Sequence, residues 1–385
     1  MKKFLLLFLI VYLIFPLTSF TAKAEIKGNI DDSVNDVLSG ISDDDLNKIT
    51  EYLNGILGEE KSIKDRIVEY ITGDNAFNFN GFISFIKNAI FSGFKESIGI
   101  VSIVIFIGIL YSIINIINYK KHDNNGNNTI YFIFYSVVLT MFIELIYKVN
   151  GVGDGLIKNL QKTVELSFPI MITLSEFSGG FGVGLFKPLS SLASLLSSNL
   201  FSNVFAPIIS VCFICVLIGN LSETVRLNNL NKTLLSFIKW TLGVSTTIFT
   251  LFITAKGIVN SQYNGLSFKI LKYATGSMIP IVGNFISGGL DVLTSSAILV
   301  KNSFGFISVI CIIFNSLKAG FTLLSVSFIL KFSVSICEPC LDLKFVKLTN
   351  GISEVFNVYT AILFFSGFVY AVTCFSIMNS TSLVI

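Results

Sequence analysis

The sequence has few charged residues and a single histidine. Charged residues make up 13% of the 385 residues and hydrophobic residues 52%, whereas an ordinary soluble chain carries about 25% charged residues. A soluble globular fold does not need so much apolar surface. His122 lies between Lys121 and Asp123, so the chain lacks the residues for a histidine-based catalytic triad or a zinc cluster of several histidines.

Motifs for nucleotide binding and redox catalysis are missing as well. The sequence contains no G-x-x-x-x-G-K-[ST] loop, so nucleotide energy would have to come from a partner protein. Cys337-Glu-Pro-Cys340 has the spacing of a thiol oxidoreductase motif, but no thioredoxin-like pattern surrounds it. We therefore expect no enzymatic activity, no cofactor, no bound metal and no nucleic-acid ligand.

Residues 1–24 predict a secretory signal peptide. Lys2 and Lys3 precede an apolar core, Phe4–Phe20, and Ala22-Lys23-Ala24 forms an A-x-A site with cleavage expected before Glu25. The alternative is an uncleaved first membrane helix, because an apolar core of this length can marginally cross a bilayer. In both cases the chain from Glu25 onward begins outside the cytoplasm.

Residues 25–90 form an acidic region that we expect to be extracytoplasmic and helical. Between Glu25 and Asp74 there are 13 acidic and 5 basic residues. Apolar residues recur at intervals of three and four, as in short amphipathic helices; they include Val34, Val37, Leu38, Leu46, Ile49 and Leu53. The Asp43-Asp44-Asp45 cluster predicts a helix start rather than a calcium site, because the EF-hand ligand pattern is absent.

Residues 91–385 predict a polytopic membrane domain. We expect an all-α bundle of about seven transmembrane helices, with re-entrant or interfacial helices in the long apolar segments Leu166–Leu200 and Tyr273–Val300. The seven apolar runs are Ile98–Asn118, Thr129–Tyr147, Val204–Leu221, Thr233–Thr254, Ser303–Leu317, Ala319–Ile336 and Val355–Met378.

Basic residues predict the orientation of this bundle. The connections assigned to the cytoplasm are short and rich in bases, as the positive-inside rule expects; the bases are Lys120, Lys121, Arg226, Lys232 and Lys318. With an external N-terminal region and seven crossings, the C terminus is predicted to be cytoplasmic. The same count places Cys337 and Cys340 on the extracytoplasmic side.

Three charged residues within the apolar runs have ordinary explanations. Glu144 and Lys148 are four residues apart on one helix, so they can form an ion pair. Lys239 lies about 9 Å from the start of its helix, which is close enough for its side chain to reach the membrane surface. None of the three requires a transport function.

The segment from Tyr273 to Gly305 is the most unusual part of the chain. Pro280 and five glycines interrupt it, and Asp291 has no cation three or four residues away. Such a segment cannot face lipid along its whole length, because unpaired backbone groups and a carboxylate in hydrocarbon each cost several kcal/mol. We expect it to be buried in protein or to line a wet cavity.

A polar stripe follows from helical spacing in this segment. If the helix begins near Asn284, one face carries Asn284, Gly288, Asp291, Ser295 and Asn302, away from Phe285, Ile286, Leu290 and Leu293. The stripe predicts either a pathway lining or a contact between helices through small and hydrogen-bonding residues. The candidate residues for one role or the other are Pro280, Gly283, Asn284, Gly288, Asp291, Ser295, Lys301, Asn302 and Gly305.

This segment also carries a family resemblance. Ile279-Pro-Ile-Val-Gly283, Gly288, Asp291 and Leu299-Val-Lys-Asn-Ser-Phe-Gly305 together resemble the hallmark segment of the stage III sporulation protein AE family of endospore-forming bacteria. The signal peptide, acidic region, membrane core and near-terminal hydrophobic helix follow the order of that family. The 38 phenylalanines suit an A/T-rich genome of the clostridial type.

The resemblance implies a membrane component of a channel or secretion complex. Such a protein would lie in the mother-cell membrane that surrounds the forespore, as a conduit or permease-like subunit or as a non-conducting scaffold. Its implied partners are the ATPase, the ring-forming proteins and the small membrane subunits of the stage III complex, together with the lipid bilayer. A second copy of the chain is a further candidate partner.

Overall fold

The computed structural model describes residues 34–35, 37–39, 43–57, 60–72, 79–119, 124–177, 192–220, 227–278 and 282–378. Over these ranges the regular secondary structure is helical. The predictions for residues 1–24, His122 and Pro280 lie outside them. The helices are α1 (Asp43–Leu57), α2 (Ile63–Thr72), α3 (Phe79–Tyr119), α4 (Asn124–Phe177), α5 (Ala206–Gly219), α6 (Asn228–Met278), α7 (Val282–Cys337) and α8 (Leu343–Met378).

Helix α5 continues an earlier helical run. Two π-helical turns, Leu195–Asn199 and Phe201–Phe205, lead directly into it, so the run extends over Leu192–Gly219. Pro207 lies in the first turn of the regular α-helix, and it has no backbone N–H with which to continue the pattern of the preceding turn. The short amphipathic helix predicted from the aspartate cluster is confirmed, because α1 begins at Asp43.

Six helices among the described residues are long and apolar enough to cross a membrane: they contain Ile90–Leu110, Phe132–Ser175, Leu192–Gly219, Asn228–Thr254, Ser295–Cys337 and Leu343–Met378. Helix α7 has 56 residues and is therefore about 84 Å long at 1.5 Å per residue. The hydrocarbon layer of a bilayer is about 30 Å thick. Long parts of these helices must therefore project beyond it.

The predicted connection at Lys318 is wrong. The fifth and sixth predicted runs, Ser303–Leu317 and Ala319–Ile336, belong to the single helix α7. The sequence around Lys318 contains no proline, and one glycine two residues later does not end a helix. Lys318 is an exposed residue on a helix whose other residues between Ala297 and Val326 are buried or half-buried.

The central pair of helices is an antiparallel hairpin. The hydroxyl of Ser327 in α7 lies 2.7 Å from that of Ser353 in α8, and further along a β-carbon on Gly305 would lie 3.3 Å from the Met378 Cβ. Nearly every residue of α8 after Glu354 is buried. This hairpin is therefore the core around which the other helices pack.

The surrounding helices alternate in direction. Helix α4 runs parallel to α8, because Tyr135 contacts Phe345 and Gly153 contacts Tyr359. The run that ends in α5 is antiparallel to α8, since the Phe213 ring lies against Phe356 and the hydroxyl of Ser197 reaches the carbonyl oxygen of Ser366. Helix α3 runs parallel to α7, as Gly93 lies against Thr322 and Gly108 against Leu341.

The bundle therefore has two distinct ends. We call proximal the end at which α4, α6 and α8 begin and α3, α5 and α7 finish. We call distal the opposite end, where α7 begins and where α8 finishes at Met378. Segments Leu166–Leu200 and Tyr273–Val300 were expected to form separate re-entrant or interfacial helices; their described parts are instead the distal portions of α4, α6, α7 and the run leading into α5.

Candidate functional site

Among the described side chains, nearly all the large exposed hydrophobic residues lie in one part of the bundle; Leu195, 50% exposed in the distal run before α5, is an exception. In α4 the large exposed hydrophobic residues lie between Phe132 and Tyr147, and from Lys148 to Ser175 the exposed residues are polar, glycine or proline. In α7 they are Phe328, Phe332 and Ile336. We call this surface the apolar belt; it comprises the exposed hydrophobic residues within 91–113, 132–147, 211–218, 230–252 and 328–336, and Leu343.

The apolar belt is long enough along the helices to face a membrane. Its described part covers about 23 Å on α4 and about 33 Å on α6, from Leu230 to Phe252; the neighbouring side chains on both helices lie outside the described residues. A bilayer's hydrocarbon layer is about 30 Å thick. We call the part of the bundle beyond it the distal half, which comprises residues 148–177 of α4, 295–327 of α7 and 355–378 of α8.

The predicted polar stripe lies at the start of α7. Its backbone is helical without a break from Val282 to Cys337, so the helical register assumed from Asn284 onward is confirmed. Side chains before Ser295 in this helix lie outside the described residues, and Gly283, Asn284, Gly288 and Asp291 are among them. Ser295 is exposed and Asn302 is half-buried.

Lys301 and Asn302 differ sharply in their surroundings. Lys301 is fully buried, with 0% exposure, and Val300, Ser303 and Phe304 beside it are buried too. The Asn302 Oδ1 atom is enclosed and has no hydrogen-bond partner among the described residues. Lys301 is therefore enclosed by protein. The Asn302 side chain is half-buried, and its Oδ1 atom can accept a further hydrogen bond.

Gly305 is a packing residue. A β-carbon at this position would lie 2.8 Å from the Met171 Cε atom of α4 and 3.3 Å from the Met378 Cβ atom of α8. One turn later, the Ser308 hydroxyl donates a hydrogen bond to the Ser167 hydroxyl of α4 (3.0 Å). Of the two roles predicted for the candidate residues, helix contact through a small residue applies at this position.

The acidic region packs on the distal half beside this crossing of three helices. The Tyr52 hydroxyl of α1 donates a hydrogen bond to the Asn159 carbonyl oxygen (2.6 Å) and lies 2.9 Å from Thr163 Oγ1. The Lys162 ammonium lies 5.1 Å from the centre of the Tyr52 ring, within the range of a cation–π interaction. Burial raises the pKa of Tyr52 to about 12, so the phenol remains a donor at neutral pH.

A second contact joins α2 to α7. Arg66 is buried, at 8% exposure, and its Nη2 donates a hydrogen bond to the Asn54 Oδ1 atom of α1 (2.9 Å). Helix α2, which carries Arg66, packs against α7. Sequence periodicity identified the apolar residues of this interface, Ile49 and Leu53, but it missed Tyr52 and Arg66, because neither belongs to an apolar stripe.

Among the described residues, charged side chains in or beside the apolar belt form ion pairs at two places. The predicted pair of Glu144 and Lys148 is confirmed, with 2.7 Å between the carboxylate and ammonium. The Lys239 ammonium lies 3.8 Å from the Glu354 carboxylate of α8; its predicted reach to the membrane surface stays a prediction. A lysine or aspartate at the centre of a membrane helix costs about 2.5 to 3.5 kcal/mol on insertion scales, so pairing is a substantial stabilisation.

Residues 61–381 match the family model of stage III sporulation protein AE. The chain belongs to this family. It is similar to the stage III sporulation protein AE of Bacillus subtilis (strain 168), with 22% identity over 301 residues that cover 77% of this chain and 75% of the relative. No solved structure matches the chain. The family match and the six long apolar helices together describe a multi-pass membrane protein of sporulation.

Proposed function

We propose that this protein is a membrane subunit of the channel complex between mother cell and forespore, and that its main task is to anchor and assemble the other subunits. The observation that carries the proposal is the division of α4 into an apolar belt, up to Tyr147, and a distal part whose exposed residues are polar, glycine or proline. The distal half exposes charged residues such as Asp154, Lys158, Lys162 and Glu165 of α4. It offers a rigid, polar surface beyond the bilayer for partner proteins.

The proposed orientation places the distal half in the space between the two membranes. It is supported by the A-x-A site before Glu25 and by bases close to the proximal helix ends, including Lys120, Lys121, Arg226 and Lys344. Six crossings return α8 to the side on which α1 lies. The C terminus is then extracytoplasmic, the reverse of the sequence-based prediction, and Cys337 lies at the cytoplasmic end.

Passage of a substrate through the complex is the second candidate function. The enclosed Asn302 Oδ1 without a partner favours it, because a polar group with free hydrogen-bonding capacity suits the lining of a wet pathway. However, α8 after Glu354 is almost entirely buried by neighbouring side chains. A conduit would therefore run along the α7 stripe or between subunits, rather than along α8.

Charge reversal on the distal surface tests the assembly function. We expect Lys158→Glu with Lys162→Glu to reduce co-purification of the ATPase and ring-forming proteins from sporulating cells, while membrane insertion stays normal. The matched control is Lys232→Glu with Lys347→Glu, which reverses two exposed charges near the proximal end. Unchanged co-purification with the distal variant would contradict the proposal.

A separate experiment distinguishes assembly from passage. Asp291→Leu and Asn302→Leu remove hydrogen-bonding groups from the α7 stripe without altering the exposed distal surface of α4. If the chain only assembles its partners, both variants should keep the complex and late forespore gene expression intact. A complex that assembles normally but no longer supports late expression would favour the conduit.

A further inference from the structure

Helix α8 exposes a single polar stripe in the apolar belt. The structure describes every residue of this helix, and its exposed positions are Leu343, Lys347, Asn350 and Glu354. Their spacing of four, three and four residues places them on one face. The rest of the helix is buried or half-buried against its neighbours. This face is therefore the only exposed surface that α8 contributes to the central hairpin.

Lys239 of α6 and Glu354 of α8 meet at the end of this stripe. Their charged atoms are 3.8 Å apart, and the two side chains remain 40% and 49% exposed. Each residue is eleven positions from the proximal start of its helix, which corresponds to about 17 Å along the axis. The ion pair thus lies at the level where α8 passes from the apolar belt into the distal half.

Exposed apolar residues lie on both sides of this pair along α6. Phe237 and Trp240 are 45% and 66% exposed, and towards the distal end Ile248 and Leu251 are 49% and 65% exposed. Along α6, exposed apolar residues therefore flank the pair on both its proximal and its distal side. Lipid chains cannot hydrogen-bond to an ammonium or a carboxylate, so the open sides of both groups are costly when they face lipid.

The two groups have unused bonding capacity. A lysine ammonium has three donors and a carboxylate has about four acceptor sites, and a separation of 3.8 Å is longer than a direct charge-assisted hydrogen bond. Both side chains are about equally exposed. A protein that covers this face would bring an acid opposite Lys239 and a base opposite Glu354.

We propose that a second copy of this chain covers the face, with Lys239 of each copy paired to Glu354 of the other. Charge complementarity carries the choice of occupant. When two copies are related by a twofold axis, the cation of each copy lies opposite the anion of the other. The patch is therefore self-complementary. An anionic lipid headgroup would neutralise Lys239 and leave Glu354 exposed, and a helix with one acid would do the same.

Exchanging the charges between copies tests this pairing. Two full-length copies with different affinity tags are expressed together in one membrane, and the fraction that co-purifies is measured. We expect wild-type copies to associate. Two copies that both carry Lys239→Glu, or that both carry Glu354→Lys, should associate about tenfold less, because like charges then meet across the interface. Lys239→Glu combined with Glu354→Lys should recover association, since acidic pairs then meet basic pairs.

Each other result overturns the proposal. Wild-type copies that do not associate would leave the face to a different protein or to lipid. Single variants that associate with themselves as well as wild type would show that the pair is not at the interface. If the mixed pair does not recover association but the double variant Lys239→Glu/Glu354→Lys does, then Lys239 and Glu354 pair only within one copy.

Cross-linking provides a readout that leaves both charges intact. In a chain without its six native cysteines, Asn350→Cys places a thiol on the exposed stripe one turn from Glu354. A short thiol cross-linker should then give a dimer. Ser136→Cys, on an exposed part of α4, is the matched control and should stay monomeric. Equal cross-linking at both positions, or none at Asn350→Cys, would contradict the proposal.

Discussion

The Tyr52 hydroxyl of α1 donates a hydrogen bond to the backbone carbonyl oxygen of Asn159 in α4, over a distance of 2.6 Å. Tyr52 belongs to the predicted acidic extracytoplasmic region, and Asn159 belongs to the predicted membrane domain. Thr163 and Lys162 add contacts to the same tyrosine. Helix α1 of the acidic region therefore packs on the distal half.

Removing the hydroxyl should loosen this docking. We expect Tyr52→Phe to weaken the packing of α1 and α2 by about 1 kcal/mol, the usual net value of one hydrogen bond. Amide hydrogen exchange in residues 43–72 should then become faster while exchange in α8 stays the same. Tyr147→Phe, at a tyrosine that is 80% exposed, is the control. Unchanged protection of α1 in Tyr52→Phe would show that the hydrogen bond does not hold it.

Close packing of α3 on α7 can be tested at two glycines of the same helix. A β-carbon at Gly93 would lie 2.6 Å from the Thr322 carbonyl oxygen, whereas nothing lies within 4 Å at Gly99. Gly93→Ala should lower stability by about 1 to 3 kcal/mol, because backbone atoms must move apart. Gly99→Ala should be neutral or slightly stabilising, because alanine favours helix.

Thermal unfolding of the two purified variants in detergent measures this difference. Equal melting temperatures for Gly93→Ala and Gly99→Ala would mean that α3 and α7 are farther apart than described. A lower melting temperature for Gly99→Ala alone would mean that α3 makes its close contact through the face that carries Gly99, not the face that carries Gly93.

Most of the membrane helices could be predicted from apolar runs alone. Five of the seven runs lie within separate helices, and the remaining two join into α7. The error arose at Lys318, where a charge was taken to mark a loop. Hydropathy cannot distinguish a charge in a loop from a charge on the exposed side of a helix beyond the bilayer. It also cannot show that α4 and α7 are much longer than a membrane is thick.

The candidate site was only partly predictable for a related reason. Family motif and spacing selected Lys301, Asn302 and Gly305, but burial distinguishes them: the first is enclosed and the last is a contact between three helices. The pairing of Lys239 with Glu354 joins residues that are far apart in the sequence. No local pattern reports such a contact, because it depends on how α6 and α8 pack.

The polar stripe of α7 makes a prediction for accessibility. In a chain without native cysteines, single cysteines at 284, 288, 291, 295 and 302 should react with a water-soluble thiol reagent. Cysteines at 286, 290 and 293, and at the buried positions Val300 and Ser303, should be protected. Uniform reaction would indicate a solvated segment, and uniform protection a dry interface; both results would contradict a wet stripe.

Asp291 should respond to the chemistry of its replacement. If the stripe lines a pathway, as in the second candidate function, Asp291→Asn should keep sporulation near the wild-type level because the amide still forms hydrogen bonds. Asp291→Leu should reduce it, because leucine cannot. The measurement is the number of heat-resistant spores, with protein abundance in the membrane as the control. Equal spore numbers for the two variants would remove Asp291 from the functional residues.

The two-ended architecture is the central claim, and the side on which each end reacts tests it most directly. Single cysteines replace Lys158 in the distal half and Glu338 at the proximal turn, both of which are exposed, and a peptide tag follows Ile385. With a membrane-impermeant reagent and antibody on intact protoplasts of non-sporulating cells that express the protein, in which the extracytoplasmic side faces the medium, we expect Lys158→Cys and the tag to react and Glu338→Cys to react only after permeabilisation. Reaction of Lys158→Cys and Glu338→Cys from the same side, or a tag that is reached only after permeabilisation, would contradict this account.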